Sequence, residues 1–375
     1  MVIAPAPALE TQQLQRRTRP AFIDCDLHNE LDSVKDLYPY LSARWRAHIE
    51  TFGLRSPAGA DYPRFMGHRE DARPPSGRLS GSELAFMRSH FLDPMGVAFG
   101  ILNPLTPAGK QQNLDLDAAL ATAANDWQVA EWLDPEPRLR ASIVIPLEDP
   151  PAAVREIRRR AADSRFVQVL FSGRPHEPMG RRKYWPIYEA CAENGLHVAS
   201  HAFGSFGQAT TGTGYPSFYI EEHVGPAQAM QANLLSMVAE GVFERFPTLR
   251  VISVENGFAW LPSLAWRMDG AWELLHDEVP HLTRPPSEYL RDHVYITTQP
   301  MEEPPHPAQF MQLLDHYGGP DRLLFATDYP HWDFDHPDTA FPARLSADMQ
   351  RRIYIENARA LYRLPSAASQ GGDAP

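Results

Sequence analysis

The feature that most constrains the fold of this chain is a repeated alternation of short apolar segments with amphipathic stretches from Leu92 onward. Runs rich in β-branched or aromatic residues predict buried strands, and the stretches between them show helical periodicity. Such alternation is typical of parallel β-α units. We therefore expect an α/β protein with a (β/α)8 TIM-barrel fold. The predicted strands are Phe22 to Asp26, Val97 to Leu102, Ala141 to Ile145, Phe166 to Leu170, His197 to Ser200, Val251 to Val254, Val294 to Thr297 and Leu323 to Ala326.

The predicted barrel spans residues 21–365 as a single domain. Residues 29–94, between the first two strands, form a long insertion that we expect to be an ordered lid over the barrel mouth, with disorder as the alternative. Aromatic residues such as Phe86 and Phe91 recur in it and favour order, because they need burial. Residues 1–20 and 366–375 are predicted to be flexible tails.

Composition excludes several classes of function. The formal net charge of −12 argues against nucleic acid as a partner, because phosphate binding needs a basic face. There is no apolar run long enough for a membrane span, and the start MVIAPAPALETQQLQRR lacks the features of a secretory signal, so we expect a cytoplasmic protein. The only cysteines, Cys25 and Cys191, have no disulfide or thiolate-zinc spacing. Any metal must therefore be bound by histidines and carboxylates.

Ionisable residues follow four of the predicted strands at their C-terminal ends, where barrel enzymes carry their chemistry. In the segment IDCDLH, Asp26 and His28 are two residues apart, so both side chains lie on the same face of an extended strand. The later segments HVASHAFG, VISVENG and LLFATDYPHWDFD end the fifth, sixth and eighth strands. The side chains predicted at one mouth are Asp26, His28, His201, Glu255 and Asp328.

Each of these residues alone has a structural alternative, since a buried aspartate can cap a helix and a buried histidine can satisfy backbone groups. Their convergence favours a metal site. Several carboxylates and imidazoles in one desolvated mouth carry a heavy burial cost unless a cation compensates them.

The chain resembles the amidohydrolase superfamily, in the branch of aminocarboxymuconate-semialdehyde decarboxylase and related metal-dependent hydrolases. The resemblance covers nearly the whole chain and is carried by FIDCDLHNE, HVASHAFGS, VISVENGFAWLPSLAWRMD, LLFATDYPHWDFD and YIENARALYRL. It implies that His28, His201 and Asp328 are metal ligands and that YIENARALYRL forms the C-terminal helix that closes such barrels. It also implies a homodimer, since members of the family commonly pair.

Two positions depart from the family pattern: Asp26 replaces the first histidine of the His-x-His pair, and Glu255 stands where strand six usually has a histidine. Replacing imidazoles with carboxylates favours iron or manganese over zinc. The added negative charge is enough for two divalent cations, either two irons or an Fe/Mn pair. His223 and His331 are predicted to complete a second site, with helix capping and loop packing as their respective alternatives.

The segments DCDLH, VENGFAWLP and FATDYPHWDFD look closest to amidohydrolase-fold dinuclear non-haem iron monooxygenases of the platensimycin-pathway type. This resemblance predicts that the protein uses O2 to hydroxylate an unactivated carbon of a bulky hydrophobic small molecule in natural-product metabolism. The predicted catalytic residues are Glu255, His223 and Asp328. The alternative is a decarboxylase or hydrolase with a single zinc or manganese ion, acting on an aromatic or unsaturated carboxylic acid. A barrel without catalysis, serving as a binding partner, is a third hypothesis.

Aromatic and polar residues around the predicted mouth are expected to form the pocket for the small-molecule substrate, although core packing is the default role of each aromatic side chain taken alone. The predicted substrate-binding residues are Phe203, Phe206, Tyr215, Phe258, Trp260, Gln299 and Trp332.

Overall fold

The computed structural model describes residues 21–55, 67–204, 209 and 211–365 of the chain. Within them, eight strands form one sheet in the order β1 to β8, and all neighbouring strands are parallel. The strands are β1 Phe22–Leu27, β2 Val97–Leu102, β3 Leu139–Val144, β4 Phe166–Arg174, β5 His197–Gly204, β6 Val251–Val254, β7 Val294–Thr297 and β8 Leu323–Leu324. This architecture confirms the predicted TIM barrel.

The first and last strands meet and close the sheet. The backbone N–H of Cys25 donates to Phe325 O and that of His28 donates to Tyr329 O, both at 2.9 Å. Inside this seam, the Asp24 carboxylate accepts hydrogen bonds from the Thr327 backbone N–H at 3.1 Å and from its hydroxyl at 2.6 Å. The closure therefore places the end of β1 directly beside the segment that follows β8.

Helices surround the sheet in the described part of the chain. Capping side chains mark several starts: Asn113 accepts from Leu116 N–H, and Asp149 accepts from Ala152 N–H. The α-helices are α1 Ala43–Phe52, α2 Leu84–Met87, α3 Asp93–Met95, α4 Leu114–Gln128, α5 Pro150–Arg160, α6 Trp185–Glu193, α7 Tyr219–Val224, α8 Pro226–Ala239, α9 Val242–Arg245, α10 Leu261–Leu275, α11 Pro286–His293, α12 Pro307–Tyr317, α13 Ala347–Arg351 and α14 Asn357–Tyr362.

The inside of the barrel is a packed core rather than a channel. Alternate strand residues such as Ile23 and Ile252 form a cluster with Leu361 and Tyr362 of α14. The Tyr362 hydroxyl donates to Gln168 Oε1 at 2.7 Å inside the barrel. The predicted C-terminal helix thus packs against the barrel interior, at the end opposite the strand C-termini.

The bounds of five strands differ from the prediction, by one or two residues at the ends of β1 and β3 and more clearly in β4, β5 and β8. β4 and β5 are longer than expected, whereas β8 ends at Leu324. The Ala326 N–H donates to the Thr298 hydroxyl at 3.1 Å, so a side chain replaces a partner in the strand ladder there. The predicted tails and residues 56–66 of the predicted lid lie outside the described residues, and the lid remains a prediction. Across the part of the chain that is described, no helix has the length and apolar character to span a membrane.

Candidate metal centre

Five ionisable side chains meet at the C-terminal ends of the strands, and all five are buried: Asp26, His28, His201, Glu255 and Asp328. The His28 Nε2 atom lies 2.8 Å from Asp328 Oδ1 and 3.4 Å from Asp26 Oδ1. The His201 Nε2 atom lies 3.1 Å from Glu255 Oε2 and 3.8 Å from Asp26 Oδ2. The structure therefore brings the side chains predicted from four separate strand ends into one cluster.

Local backbone geometry directs these side chains inward. β1 is buried along its whole length, and its two-residue period gives Asp26 and His28 the same face. Glu255 and Asp328 have φ angles of 58° and 61°, in the left-handed region that residues with a side chain rarely adopt. Such strain persists where the surrounding structure enforces it and is common at functional sites. Both carboxylates thus sit on sharp turns just beyond their strands.

Asn103 follows β2 directly and positions two candidate ligands at the end of β1, Asp26 and His28. Its backbone carbonyl lies 2.7 Å from His28 Nδ1, which leaves Nε2 as the nitrogen that faces the carboxylates. Its side-chain amide donates to Asp26 Oδ1 at 2.8 Å. Sequence reasoning missed this residue. The signal was available, because Asn103 is a polar residue directly following the apolar run VAFGIL.

Burial dominates the electrostatics of the cluster. Desolvation raises the pKa of Asp26, and it raises the pKa of Glu255 and of Asp328 well above the usual range of carboxyl groups, with repulsion between neighbouring carboxylates adding to both. Desolvation also lowers the pKa of His201 well below its usual value, so the imidazole is neutral at physiological pH. A neutral imidazole among carboxylates is the form of histidine that binds a metal.

Two buried oxygens provide a direct test of whether a cation fits. No described residue donates a hydrogen bond to Asp26 Oδ2 or to Glu255 Oε2, although both are buried. His201 Nε2 lies 3.8 Å from Asp26 Oδ2 and 3.1 Å from Glu255 Oε2, and it forms a hydrogen bond with neither oxygen. Buried carboxylate oxygens without donors are costly. A divalent cation would compensate Asp26 Oδ2, and either the same cation or a proton on Glu255 would compensate Oε2, so this donor set fits a metal ion.

Ligand atoms within 4.8 Å of one another form three groups among the described residues. Two share the mouth: Asp26, His28, His201 and Glu255 in the first, and His28, Glu255, Asp328 and His331 in the second. The third group is Glu30, His68 and His331.

His331 links the mouth to the third group. Its Nδ1 atom lies 2.7 Å from Asp328 Oδ1, and its Nε2 atom lies 3.7 Å from Glu30 Oε1. Burial alone would raise the pKa of Glu30, but hydrogen bonds from His331 and His68 lower it to about 2. Glu30 is therefore an ionised partner for the imidazoles of His68 and His331. The sequence positions of Glu30 and His68 had not indicated this contact.

His223 lies outside all three groups of the described residues, which corrects its prediction as a metal ligand. Its Nε2 atom is 3.5 Å from Asp333 Oδ2, and its ring centroid is 5.2 Å from that of Trp332. The reason is its position on α7, a short helix at the rim of the mouth rather than at a strand end. A direct catalytic role for His223 has no support in this placement.

The predicted substrate-binding residues are scattered. Phe258 is completely buried and packs against Phe310 and Tyr317, so it belongs to the core, and that prediction is corrected. Gln299 is also completely buried and donates to Asp333 Oδ2 at 2.8 Å and to Asp328 Oδ2 at 3.2 Å. It therefore orients a candidate ligand rather than lining a cavity.

Among the other predicted aromatic residues that the structure describes, Tyr215 and Trp332 are exposed and Trp260 is half-buried. Trp332 is 45% exposed and donates from Nε1 to the Tyr219 hydroxyl at 3.3 Å. Trp260 donates to Asn256 O, and Tyr215 is 66% exposed. The side chain of Phe203 and the whole of Phe206 lie outside the described part of the chain.

A pocket beside the cluster was not predicted from the sequence. We call it the β2–β5 pocket, because it lies among the ends of these strands and reaches His201. Most of its walls are apolar, and its two other polar side chains are Lys110 and Ser172. The complete lining is Pro104, Leu105, Ala108, Gly109, Lys110, Val144, Ile145, Leu147, Leu170, Phe171, Ser172 and His201. Most come from loops, whose packing carries no periodic signal.

Comparison with known proteins places this geometry in context. A protein-family model described as Amidohydrolase matches residues 23–364. A γ-resorcylate decarboxylase of Rhizobium sp. is 29% identical over 265 residues, which cover 66% of this chain and 77% of that protein.

Solved structures share the fold. A dihydroxybenzoic acid decarboxylase from Polaromonas sp., with bound manganese and the inhibitor 2-nitroresorcinol, has a TM-score of 0.63 at 20% identity, over 94% of this chain and 99% of that one. A 5-carboxyvanillate decarboxylase from Novosphingobium aromaticivorans, complexed with manganese and 4-hydroxy-3-methoxy-5-nitrobenzoic acid, has a TM-score of 0.69 at 19% identity, over 92% and 96% of the two chains.

Proposed function

Because this chain belongs to the amidohydrolase family, we propose that it is a manganese-dependent, non-oxidative decarboxylase of an aromatic carboxylic acid with a hydroxyl group next to the carboxylate. The observation that carries the proposal is the buried set of carboxylates and imidazoles at the strand ends, in a chain whose similar proteins are decarboxylases. The chain is an enzyme of the metal-dependent amidohydrolase fold. Its reaction and its substrate are the proposed part.

The expectation of a dinuclear iron monooxygenase is wrong. The proteins similar to this chain are γ-resorcylate and 5-carboxyvanillate decarboxylases, which favour the alternative of a metal-dependent decarboxylase. The physical error lay in taking hard carboxylate ligands as a sign of redox chemistry. Carboxylates and imidazoles suit manganese acting as a Lewis acid equally well. The proposed reaction therefore uses a single manganese ion and neither a pair of iron ions nor O2.

Four residues would hold the metal: Asp26, His28 and His201 of the first ligand group, and Asp328 of the second group, which shares His28 with the first. They combine oxygen and nitrogen donors, as manganese accepts. Bound there, Mn²⁺ would supply a Lewis acid that polarises the oxygen substituents of the substrate. Asn103 and Gln299 would keep two of the ligands in place through the hydrogen bonds described above.

Glu255 is left for proton transfer in this proposal. Burial, with repulsion from the Asp328 carboxylate, raises its pKa well above the usual glutamate value, which favours the protonated form that a proton donor needs. The Glu255 carboxylic acid donates its proton to the ring carbon that bears the substrate carboxylate. The bond between that carbon and the carboxylate then breaks, CO2 leaves, and the electron pair of the broken bond restores the aromatic ring. Solvent returns a proton to Glu255, so the net reaction consumes one proton and needs no oxidant.

The direct test is an assay of CO2 release from 2,6-dihydroxybenzoate and related ortho-hydroxybenzoates by the manganese-loaded protein. We expect CO2 and the decarboxylated phenol in equal amounts, at the same rate with and without O2. Consumption of O2, a hydroxylated product, or no release of CO2 from any member of the panel would overturn the proposal.

Manganese is also expected to stabilise the protein against heat. Binding to the folded state alone stabilises it by about 2.7 kcal/mol when the free ion is at 100 times its Kd. Thermal denaturation of metal-stripped protein, with and without added Mn²⁺, measures the gain, which we expect to be a few degrees. The ligand carboxylates have raised pKa values in the metal-free protein, so protons compete with the ion, and the gain should be larger at pH 8 than at pH 6. Mg²⁺ at the same ionic strength is the control for a salt effect, and a gain that ignores pH would contradict the assignment.

A further inference from the structure

The β2–β5 pocket contains a cation whose role the metal centre does not explain. Lys110 lines this pocket together with His201, at the end of the loop that follows β2. The ammonium group of Lys110 forms no hydrogen bond or ion pair with any described residue. Desolvation lowers its pKa, and Glu30, Asp117 and Arg174 are the charged groups near enough to modify that effect. Lys110 is partly buried, and a partly buried cation without a protein partner is favoured when a ligand supplies the counter-charge.

The loop holds Lys110 in a fixed position. The Asp117 carboxylate, on the first turn of α4, accepts hydrogen bonds from the backbone N–H groups of Lys110 at 3.0 Å and of Gln111 at 2.9 Å. Gly109 has a φ of 76°, a left-handed conformation that turns the chain just before Lys110. Because these contacts fix the backbone at Lys110, the lysine is a preorganised part of the pocket wall.

The charge of the metal centre gives Lys110 a function. Asp26 and Asp328 carry two negative charges that a divalent cation neutralises, so the mouth with Glu255 protonated has no net positive charge left for an anion. An anionic substrate therefore needs a further positive group when it enters this desolvated mouth. The charge of Lys110 influences the pKa of His201, so the ammonium group lies close to the candidate ligands.

The chemistry of the pocket agrees with an aromatic acid. Apolar side chains including Leu105, Val144 and Phe171 form most of the walls, and Lys110, Ser172 and His201 are its polar side chains. Pockets of this kind bind an apolar ring and orient it through a few polar contacts.

We propose that Lys110 binds an anionic oxygen of the aromatic acid and makes the β2–β5 pocket selective for aromatic anions over neutral aromatic molecules of the same shape. The inference rests on the proposed function, since that function supplies the aromatic acid. Lys110 is then a specificity-determining residue of the site, separate from the residues that hold the metal.

The test compares two ligands of nearly equal shape, benzoate and the neutral benzamide, by calorimetric titration of the manganese-loaded protein. Both lack the ortho-hydroxyl group, so binding is measured without turnover. We expect wild type to prefer benzoate. Lys110→Met should weaken benzoate binding by about tenfold or more, as for loss of a hydrogen bond to a charged group, and benzamide binding by less than about twofold. Lys110→Arg should keep most of the preference.

Lys35→Met is the matched control, because Lys35 is exposed and far along the chain from the pocket lining. Manganese content is measured for every variant. Equal weakening of both ligands in Lys110→Met, or an unchanged preference for benzoate, would overturn the role of Lys110. The proposed function fails separately: a protein with Lys110-dependent selectivity that releases no CO2 from ortho-hydroxybenzoates keeps this inference and loses that function.

Discussion

The Asp328→Asn variant is expected to lose decarboxylase activity by on the order of 10³-fold or more, together with most of its bound manganese. The Asp328 carboxylate lies 2.8 Å from His28 Nε2 and 2.7 Å from His331 Nδ1, and it belongs to the second ligand group. Asparagine keeps the shape but removes the negative charge that would bind the cation. Loss of a Lewis acid withdraws several kcal/mol of transition-state stabilisation. Elemental analysis and the rate of CO2 release measure the two effects.

Asp335→Asn is the matched control for this experiment. Asp335 belongs to the same loop, is largely buried and has a pKa raised to about 7 by desolvation, yet it belongs to no ligand group among the described residues. It should retain manganese and activity within a few fold. Normal manganese content in Asp328→Asn would show that Asp328 is not a ligand. Equal loss in both variants would point to a general effect on the loop.

The Glu255→Gln variant is expected to bind manganese normally and to lose between about 10²- and 10⁴-fold in turnover, the usual contribution of a positioned proton donor. Gln fills the same volume and cannot donate a carboxylic acid proton. For wild type, the rate should fall as pH rises through the pKa of Glu255, because only the protonated form donates. Since burial raises that pKa well above the usual glutamate value, activity should persist to higher pH than an exposed glutamate would allow. The residual rate of the variant should lack this decline.

Glu302→Gln is the comparison for Glu255→Gln. Glu302 is also a glutamate with a pKa raised by burial, and its Oε1 atom accepts hydrogen bonds from the Phe258 and Ala259 N–H groups at 2.6 and 2.8 Å. A glutamine Oε1 can accept the same two bonds, so turnover and its pH dependence should remain close to wild type. If Glu255→Gln loses manganese as well as activity, Glu255 is a ligand, and the proton donor must be another group.

The fold could be predicted largely from the sequence, because strand and helix periodicity differ and barrel strands are apolar. The ligand cluster could also be predicted, since Asp26 and His28 share a strand face and strand ends converge at one mouth. Loop residues could not. His223 was expected among the ligands but lies on α7 at the rim, and Phe258 was expected in the mouth but packs in the core.

The positioning residues escaped prediction for a related reason. Asn103 contacts His28 and Asp26, and Lys110 shares a pocket with His201, so both depend on the meeting of segments far apart in the chain, which no local pattern encodes. Glu30 and His68 lie between β1 and β2 in the chain and approach His331 only in the folded structure, where His68 pairs with His331 in an isolated antiparallel bridge. The chemical type of the site followed from the sequence, whereas its reaction required the comparison with decarboxylases.

The seam between β1 and β8 has a consequence for biosynthesis. His28 and Asp328, adjacent in the closed barrel, are 300 residues apart in the chain. The N-terminal ligands are synthesised early, but the full ligand set exists only after the last strand has left the ribosome and paired with the first. Bringing together residues so far apart in the chain costs conformational entropy before bonds to the metal can offset that cost. We therefore expect the metal to bind only after translation, when the whole barrel has closed. Nascent chains and chains truncated at the C-terminus should not bind the ion.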